Sequence, residues 1–187
     1  MALRSLLPGL REVFGQVGGL SVIASASFIR PNDAVIYAVG DLIANNTVAG
    51  NVVPLALPVA FANDRTGLIR KLRLKVNDPA WKAGIIRCHL FQNSPTVNVG
   101  DNGALNAAET YGFTESEYLG ACDITLAKQT SDNFAKGFGV CVAAEGQEWN
   151  FAPAAGTQTI YALLEARSAV TPAAQKTFTL SAEVWQN

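Results

Sequence analysis

Few side chains in this sequence combine the types and spacing that catalysis needs. His89 is the only histidine, and it directly follows Cys88, so a thiol–imidazole nucleophile would have to be built from these two neighbours. They fall in a strand-like run, where successive side chains point to opposite faces of the sheet. The two groups are therefore not expected to act together, and any serine triad or histidine-based metal site would depend on His89 alone.

Carboxylates offer a second kind of chemistry. The acidic residues of one long polar loop are Asp101, Glu109, Glu115 and Glu117. A glycosidase needs two carboxylates flanking the scissile bond, and the turn Asp101-Asn102-Gly103 offers oxygen ligands of the kind that calcium prefers. Acidic residues in such a loop are usually solvated, and the turn lacks the further spaced ligands of a calcium-binding loop. We therefore predict no catalytic residues, no cofactor and no bound metal.

The remaining reactive groups indicate structure rather than chemistry. The three cysteines, Cys88, Cys122 and Cys141, form no C-x-x-C pair, and we predict that they are buried strand thiols in a reducing compartment. No phosphate-binding glycine loop occurs. The lone G-x-G at 137–139 is predicted to mark a bulge or a close-packing point within a strand.

Composition narrows the range of partners. The 14 lysines and arginines are balanced by 15 acidic residues, so no nucleic acid partner is expected. No apolar run approaches the ~20 residues that span a bilayer, so no membrane partner is expected either. Charged residues make up only 16 % of the 187 residues and apolar types 49 %, which excludes disorder and suggests that surface is hidden in an assembly.

One basic stretch and a set of aromatic residues are candidate contact sites. On a strand, Lys71, Arg73 and Lys75 would form a ladder on one face, either solvated or in contact with an acidic partner surface. Aromatic rings are either core residues or platforms for carbohydrate. The aromatic candidates are Trp81, Trp149, Trp185, Tyr111, Tyr118 and Phe113.

Residues 1–20 are predicted to form an arm, helical or extended, that precedes the main domain. Their apolar residues recur at spacings of three and four, the stripe of a short amphipathic helix, and Gly18-Gly19 would end that helix. The stripe either packs on its own domain or docks on a neighbouring subunit. The candidate contact residues of the arm are Leu3, Leu6, Leu7, Leu10 and Phe14.

From residue 21 onward the apolar pattern has period two, which is typical of strands. The alternation at 67–77 and at 176–185 predicts one inward and one outward face for each strand. The short link before residue 176 predicts a hairpin with the preceding strand. The predicted strands span 21–29, 35–39, 51–61, 67–77, 84–92, 119–125, 137–143, 149–151, 159–167 and 176–185.

Short strands separated by turns rich in Gly, Pro, Asn and Asp are typical of a sandwich. We predict an all-β fold, an antiparallel two-sheet sandwich that is jelly-roll-like, formed by residues 21–187 behind the arm. The long loop at 93–118 is expected to be functional or to contact partners.

Five phrases of the domain carry a resemblance in their order and spacing. They are 25–46 (SASFIRPNDAVIYAVGDLIANN), 89–106 (HLFQNSPTVNVGDNGALN), 118–125 (YLGACDIT), 160–167 (IYALLEAR) and 178–184 (FTLSAEV). Together they resemble a family of small structural proteins encoded in tailed-bacteriophage genomes. The resemblance runs from about residue 25 to residue 187 and contains no catalytic motif.

The resemblance implies a non-enzymatic virion component, a capsid decoration or cement protein on the exterior of the capsid, made in the host cytoplasm. Its expected partners are the major capsid protein and further copies of itself, with a homotrimer favoured by symmetry. An alternative function is a receptor- or carbohydrate-binding module of a head or tail fibre. A third is a glycan hydrolase, which requires two carboxylates of the acidic loop to be positioned together.

Overall fold

Strands dominate the protein in the computed structural model, which describes residues 20–105, 117–128, 137–142 and 149–186. The predicted arm lies outside the described residues apart from Leu20. Two short 3-10 helices, Ala49–Asn51 and Pro79–Trp81, lie in connections. The strands of the described chain are β1 (Leu20–Ile29), β2 (Leu42–Ile43), β3 (Leu55–Pro58), β4 (Gly67–Val76), β5 (Ile85–Phe91), β6 (Tyr118–Thr125), β7 (Ala127–Lys128), β8 (Gly137–Val142), β9 (Trp149–Phe151), β10 (Thr159–Ala166) and β11 (Thr177–Gln186).

The strands form two antiparallel sheets. The first sheet has the order β1-β11-β4-β8-β7, with β9 also on β4, and the second has the order β2-β10-β5-β6, with β3 also on β10. β2 and β3 pair one after the other with the same edge of β10, and β8 and β9 pair in the same way with one edge of β4. Each pair therefore counts as one strand position. With these pairs merged and β7 set aside, the strand positions run 1-8-3-6 and 2-7-4-5. This is the connectivity of a jelly roll, so the predicted fold class is confirmed.

The main core lies between the sheets and follows the period-two pattern. The faces predicted for β4 and β11 are confirmed, because alternate residues of both strands are buried against the second sheet. Burial of each large apolar side chain contributes roughly 1.5–3 kcal/mol, so the two rows bind the sheets together. The inward residues of the two rows are Ile69, Leu72, Leu74, Val76, Phe178, Leu180, Ala182 and Val184.

A second, smaller core covers the outer side of the second sheet. Its buried members are Leu42, Ala44, Phe91, Val97, Leu105 and Leu163. Val97 and Leu105 belong to the long loop, so its described part, 93–105, packs back on its own sheet. The second sheet is therefore buried on both sides here, which explains why β5 and β10 carry almost unbroken runs of buried residues.

Two predictions about connections are wrong. β10 and β11 do not form a hairpin, because β10 belongs to the second sheet and β11 to the first, and the link 167–176 crosses between them. The inward residues are the same in either arrangement, so the pattern alone could not separate the two. The run 35–39 is not a strand either. Tyr37 makes only an isolated bridge to Val170, and the two residues that precede it, Val35 and Ile36, are exposed.

Candidate interaction surface

The solvent-exposed side of the first sheet carries the predicted basic ladder. Alternate positions of β4 point the ladder outward while the residues between them enter the core. The register aligns this row with outward-pointing residues of three neighbouring strands, and we call the combined surface the outer face. Its members are Ile23, Ser25, Ser27 and Ile29 of β1, Thr177, Thr179, Ser181 and Glu183 of β11, Lys71, Arg73 and Lys75 of β4, and Val140 and Val142 of β8.

The ladder is partly neutralised by one carboxylate. Glu183 Oε2 lies 3.5 Å from Lys71 Nζ and 3.0 Å from Arg73 Nη2. Lys75 is exposed and has no ion pair among the described residues. The structure therefore brings the three predicted cations together, as the sequence indicated, and leaves the positive charge concentrated at the Lys75 end.

Large apolar side chains flank the ladder. Ile23 is 61 % exposed and Val142 is 56 % exposed, although both lie on regular strands. Trp185 is 43 % exposed, and the Arg70 guanidinium carbon lies 4.0 Å from the centroid of its ring. In the register, Glu183 and Lys71 separate Ile23 from Val142, so the apolar side chains lie on opposite sides of the charged row rather than in one patch. Exposed apolar side chains on both sides of a charged row can still contribute to an interaction site.

The sequence analysis did not single out the apolar part of this face. A signal was available in β1, where Ala24 and Ala26 alternate with Ile23. The alanines face the core and the larger residue faces solvent, which reverses the usual arrangement. The five candidate arm residues, Leu3, Leu6, Leu7, Leu10 and Phe14, lie outside the described residues, so their contact role stays a prediction.

Asp101 of the acidic loop is part of a buried network. Its side chain is fully buried, and its carboxylate accepts hydrogen bonds from the Tyr37 hydroxyl at 2.6 Å, the Ala44 backbone N–H at 2.7 Å and Arg30 Nη2 at 3.2 Å. Burial raises the pKa of Asp101, while these three donors act to lower it. The carboxylate oxygens that a calcium ion would need are thus engaged by the protein itself.

The other described carboxylate of that loop is also engaged. Glu117 Oε1 accepts a hydrogen bond of 2.7 Å from Asn93 Nδ2, whereas Glu109 and Glu115 lie outside the described residues. Across the described ranges, no cluster of three or more His, Cys, Asp or Glu side chains is arranged to hold a metal ion. The same ranges contain no helix long and apolar enough to cross a membrane.

His89 lies in a polar network on the side of the second sheet away from the main core. Its Nε2 is 2.8 Å from Glu165 Oε2, and its Nδ1 is 3.0 Å from the Tyr118 hydroxyl. Arg167 Nη1 donates to the other Glu165 oxygen at 2.9 Å. Cys88 is buried in the main core on the opposite side. The prediction that this thiol and imidazole face apart is confirmed.

Glu165 makes this network sensitive to acid. Burial alone would raise its pKa, but hydrogen bonds with His89 and Arg167 outweigh burial, and the pKa of Glu165 is lowered. Such a group stabilises the fold above its unfolded pKa, and the contribution is lost as the pH falls through the folded pKa. We expect Glu165→Gln to flatten the decline of unfolding free energy below about pH 4.5, as measured by urea unfolding at successive pH values. Parallel acid profiles of wild type and variant would contradict this expectation.

Most described members of the aromatic set are not available to bind carbohydrate. Trp81 and Trp149 are buried in the main core, and Tyr118 contacts His89. Trp185 is exposed, but Arg70 covers one face of its ring. Tyr111 and Phe113 lie outside the described residues. Trp185 is thus the one exposed ring among the described candidates. Phe61, outside that set, is also exposed, and Arg65 lies over its ring.

Comparison with known proteins identifies no family. No protein-family model matches this chain, and no curated protein matches it. Among solved structures, it is similar to PRD1 vertex protein P5 (10 % identity, 86 % of this chain and 95 % of that chain, TM-score 0.33). It is also similar to the cyanophage Pam1 capsid asymmetric unit (10 %, 90 % and 86 %, TM-score 0.34) and to tomato aspermy virus (8 %, 97 % and 93 %, TM-score 0.35). All three are viral structures by name, but similarities this weak assign neither family nor function.

Proposed function

We propose that this chain is a non-enzymatic virion structural protein, a decoration or cement protein that binds the exterior of a tailed-phage capsid and stabilises the shell. Its partner is then the major capsid protein, and it acts by burying surface across neighbouring capsid subunits. The family resemblance of the sequence phrases supports this assignment. No cofactor or metal takes part in such a role.

The observation that carries the proposal is the outer face. It offers a broad sheet surface on which Ile23, Val140 and Val142 are exposed beside small serine and threonine side chains. Exposed apolar side chains of this size gain free energy when a partner removes them from water. A decoration protein needs such a surface, because it binds by shape and burial rather than by a reaction centre.

Charge gives this surface a preferred kind of partner. Lys75 has no ion pair among the described residues, and Lys71 and Arg73 share one carboxylate. An acidic patch on the capsid subunit would complement the ladder and accelerate association. Repetition of the same contact around a shell would convert a modest affinity into strong overall attachment.

The two described carboxylates of the acidic loop are engaged within the protein and do not form a catalytic pair. A glycan hydrolase would need two carboxyl groups that face a common cleft. Asp101 is enclosed with Arg30 and Tyr37, and Glu117 is bound to Asn93.

In this proposal the free protein is a closed homo-oligomer, with a trimer favoured, and the arm at 1–20 adds a second contact to the shell.

Binding to undecorated capsids tests the proposal. We expect the full chain to co-sediment with capsids in a saturable way and Ile23→Asp with Lys75→Glu to weaken binding by about 100-fold, since both a buried apolar contact and a charge contact are lost. Removal of residues 1–19 should weaken binding further. Sedimentation velocity of the free protein measures the oligomeric state.

A matched control is Val48→Asp, which places a charge at an exposed aliphatic residue outside the outer face and should leave capsid binding unchanged. Circular dichroism checks that each variant is folded. Equal binding by the outer-face and control variants would contradict the proposed surface. Failure of the full chain to bind capsids would contradict the function and direct attention to glycan arrays.

A further inference from the structure

The three cysteines, far apart in sequence, meet at one edge of the sandwich. Cys88 of β5 and Cys122 of β6 are direct partners in the register of the second sheet. Cys141 lies on β8 of the first sheet, and both Cys122 and Cys141 pack half-buried against the main core. All three are free thiols in this structure. The prediction that these cysteines are buried strand thiols thus holds fully for Cys88 and partly for the other two.

A glycine holds the two sheets close together beside these thiols. A Cβ added to Gly139 would overlap Ile124 Cγ2 and the Thr125 carbonyl oxygen, so β8 and β6 touch at this point. The predicted close-packing role of the G-x-G is therefore confirmed. Cys141 is two residues after Gly139 on β8, and Cys122 is two residues before Ile124 on β6. The two thiols are therefore each two residues from the contact between Gly139 and Ile124, on the same faces of β8 and β6.

The two intersheet thiols also interact directly. Burial raises the pKa of Cys122, and the neighbouring Cys88 and a hydrogen bond with Cys141 raise it further. Burial raises the pKa of Cys141 as well, while its hydrogen bond with Cys122 acts to lower it. Cys88 is completely buried, which separates it from any reagent in solution. Cys122 and Cys141 are therefore the pair that a small oxidant can reach.

We propose that Cys122 and Cys141 are an oxidative cross-linking site, which forms a disulfide between the two sheets when the protein meets a small disulfide such as glutathione disulfide. Because burial raises the pKa of both thiols, the reaction needs an alkaline buffer, in which the Cys141 thiolate attacks one glutathione sulfur, forms a mixed disulfide and releases one glutathione. The Cys122 thiolate then attacks the Cys141 sulfur and releases the second glutathione. Two protein thiols are oxidised, one glutathione disulfide is reduced, and the two thiol protons end on the two released glutathione molecules.

The cross-link would add a covalent tie to an edge where β7, just after β6, already pairs with β8. β6 itself belongs to the second sheet, so no backbone ladder joins β6 to β8. A covalent bond between them restricts the unfolded chain and fixes the spacing of the sheets. This inference does not depend on the proposed function, because it concerns only the thiols of the isolated chain.

Thiol counting on the purified full chain tests the inference. After incubation with glutathione disulfide and denaturation, we expect the free thiols to fall from three to one, with a mass loss of two hydrogen atoms. Peptide mapping should join Cys122 to Cys141. The melting temperature should rise by about 5–10 °C. Reduction with dithiothreitol should reverse both changes.

Two variants sharpen the result. Cys88→Ala should still lose both of its thiols, whereas Cys141→Ser should keep both. Retention of three thiols by the wild type, addition of glutathione without an internal bond, or a mapped bond to Cys88 would each overturn the proposal. Because peptide mapping uses the wild type, the test remains decisive even if a variant fails to fold.

Discussion

Replacing Asp101 by alanine is expected to lower the free energy of unfolding by about 3–5 kcal/mol. The substitution removes the carboxylate that pairs with Arg30, and both side chains of that pair are 0 % exposed. The buried guanidinium would keep only the partly exposed Asp33 carboxylate, at 2.7 Å, to balance its charge. The Tyr37 hydroxyl and the Ala44 N–H would lose their acceptor. Breaking one side of a buried ion pair is far more costly than the net stability of the pair, because the remaining charge is left in a poorly solvating environment.

The chain provides a matched control for this change. Arg87 and Asp123 form an ion pair with two hydrogen bonds of 2.6 and 2.9 Å, but both side chains are partly exposed. Asp123→Ala should therefore change the unfolding free energy by only about 0–1 kcal/mol. Urea unfolding followed by tryptophan fluorescence measures both variants. Equal losses for the two aspartates would show that the buried network is not a stabilising centre.

Trp81→Ala is expected to have a comparable effect, a loss of about 3–5 kcal/mol. Trp81 is 0 % exposed and packs its ring against Tyr37 and Phe178, with centroid distances of 5.6 and 5.8 Å. Its removal would open a cavity beneath the 3-10 helix that carries it. The cavity would also undermine Tyr37, and hence the Asp101 network, so the two substitutions should not be additive.

A more conservative change distinguishes packing from hydrogen bonding at this position. The Trp81 indole N–H is buried without a hydrogen-bond partner in the described part of the protein. Trp81→Phe keeps an aromatic ring and removes no hydrogen bond, so we expect a loss of only about 1–2 kcal/mol. The same urea titrations measure it. A Phe variant as unstable as the Ala variant would indicate that the indole N–H has an essential partner.

Local patterns predicted the strands well but could not predict their neighbours. The alternation in β4 and β11 was sufficient to predict which side chains face the core, because each strand buries one row of side chains and exposes the other. The same alternation suggested a hairpin between β10 and β11 that does not exist, since period two gives the face of a strand and not its partner. The apolar run at 35–39 led to a wrong prediction for a different reason: all four aliphatic side chains in it are solvent-exposed, and only Tyr37 is buried.

The candidate surface was predictable in part. The basic ladder followed from the spacing of Lys71, Arg73 and Lys75, because alternate strand residues share a face. The role of Asp101 could not be predicted from local spacing, because its partner Arg30 is distant in sequence and only the fold brings the two together. The thiol pair was invisible for the same reason, because Cys122 and Cys141 lie on different sheets.

The position of β11 has a consequence for how the chain folds. β11 follows every other described strand, yet it lies between β1 and β4 in the first sheet. During synthesis β1 and β4 therefore emerge long before the strand that joins them, and their apolar faces stay exposed until β11 is made. Pairing between such distant segments is slow, so this domain should need protection by chaperones until β11 leaves the ribosome. A truncation that removes β11 would take away an inner strand and leave β1 without its only partner in the described sheet.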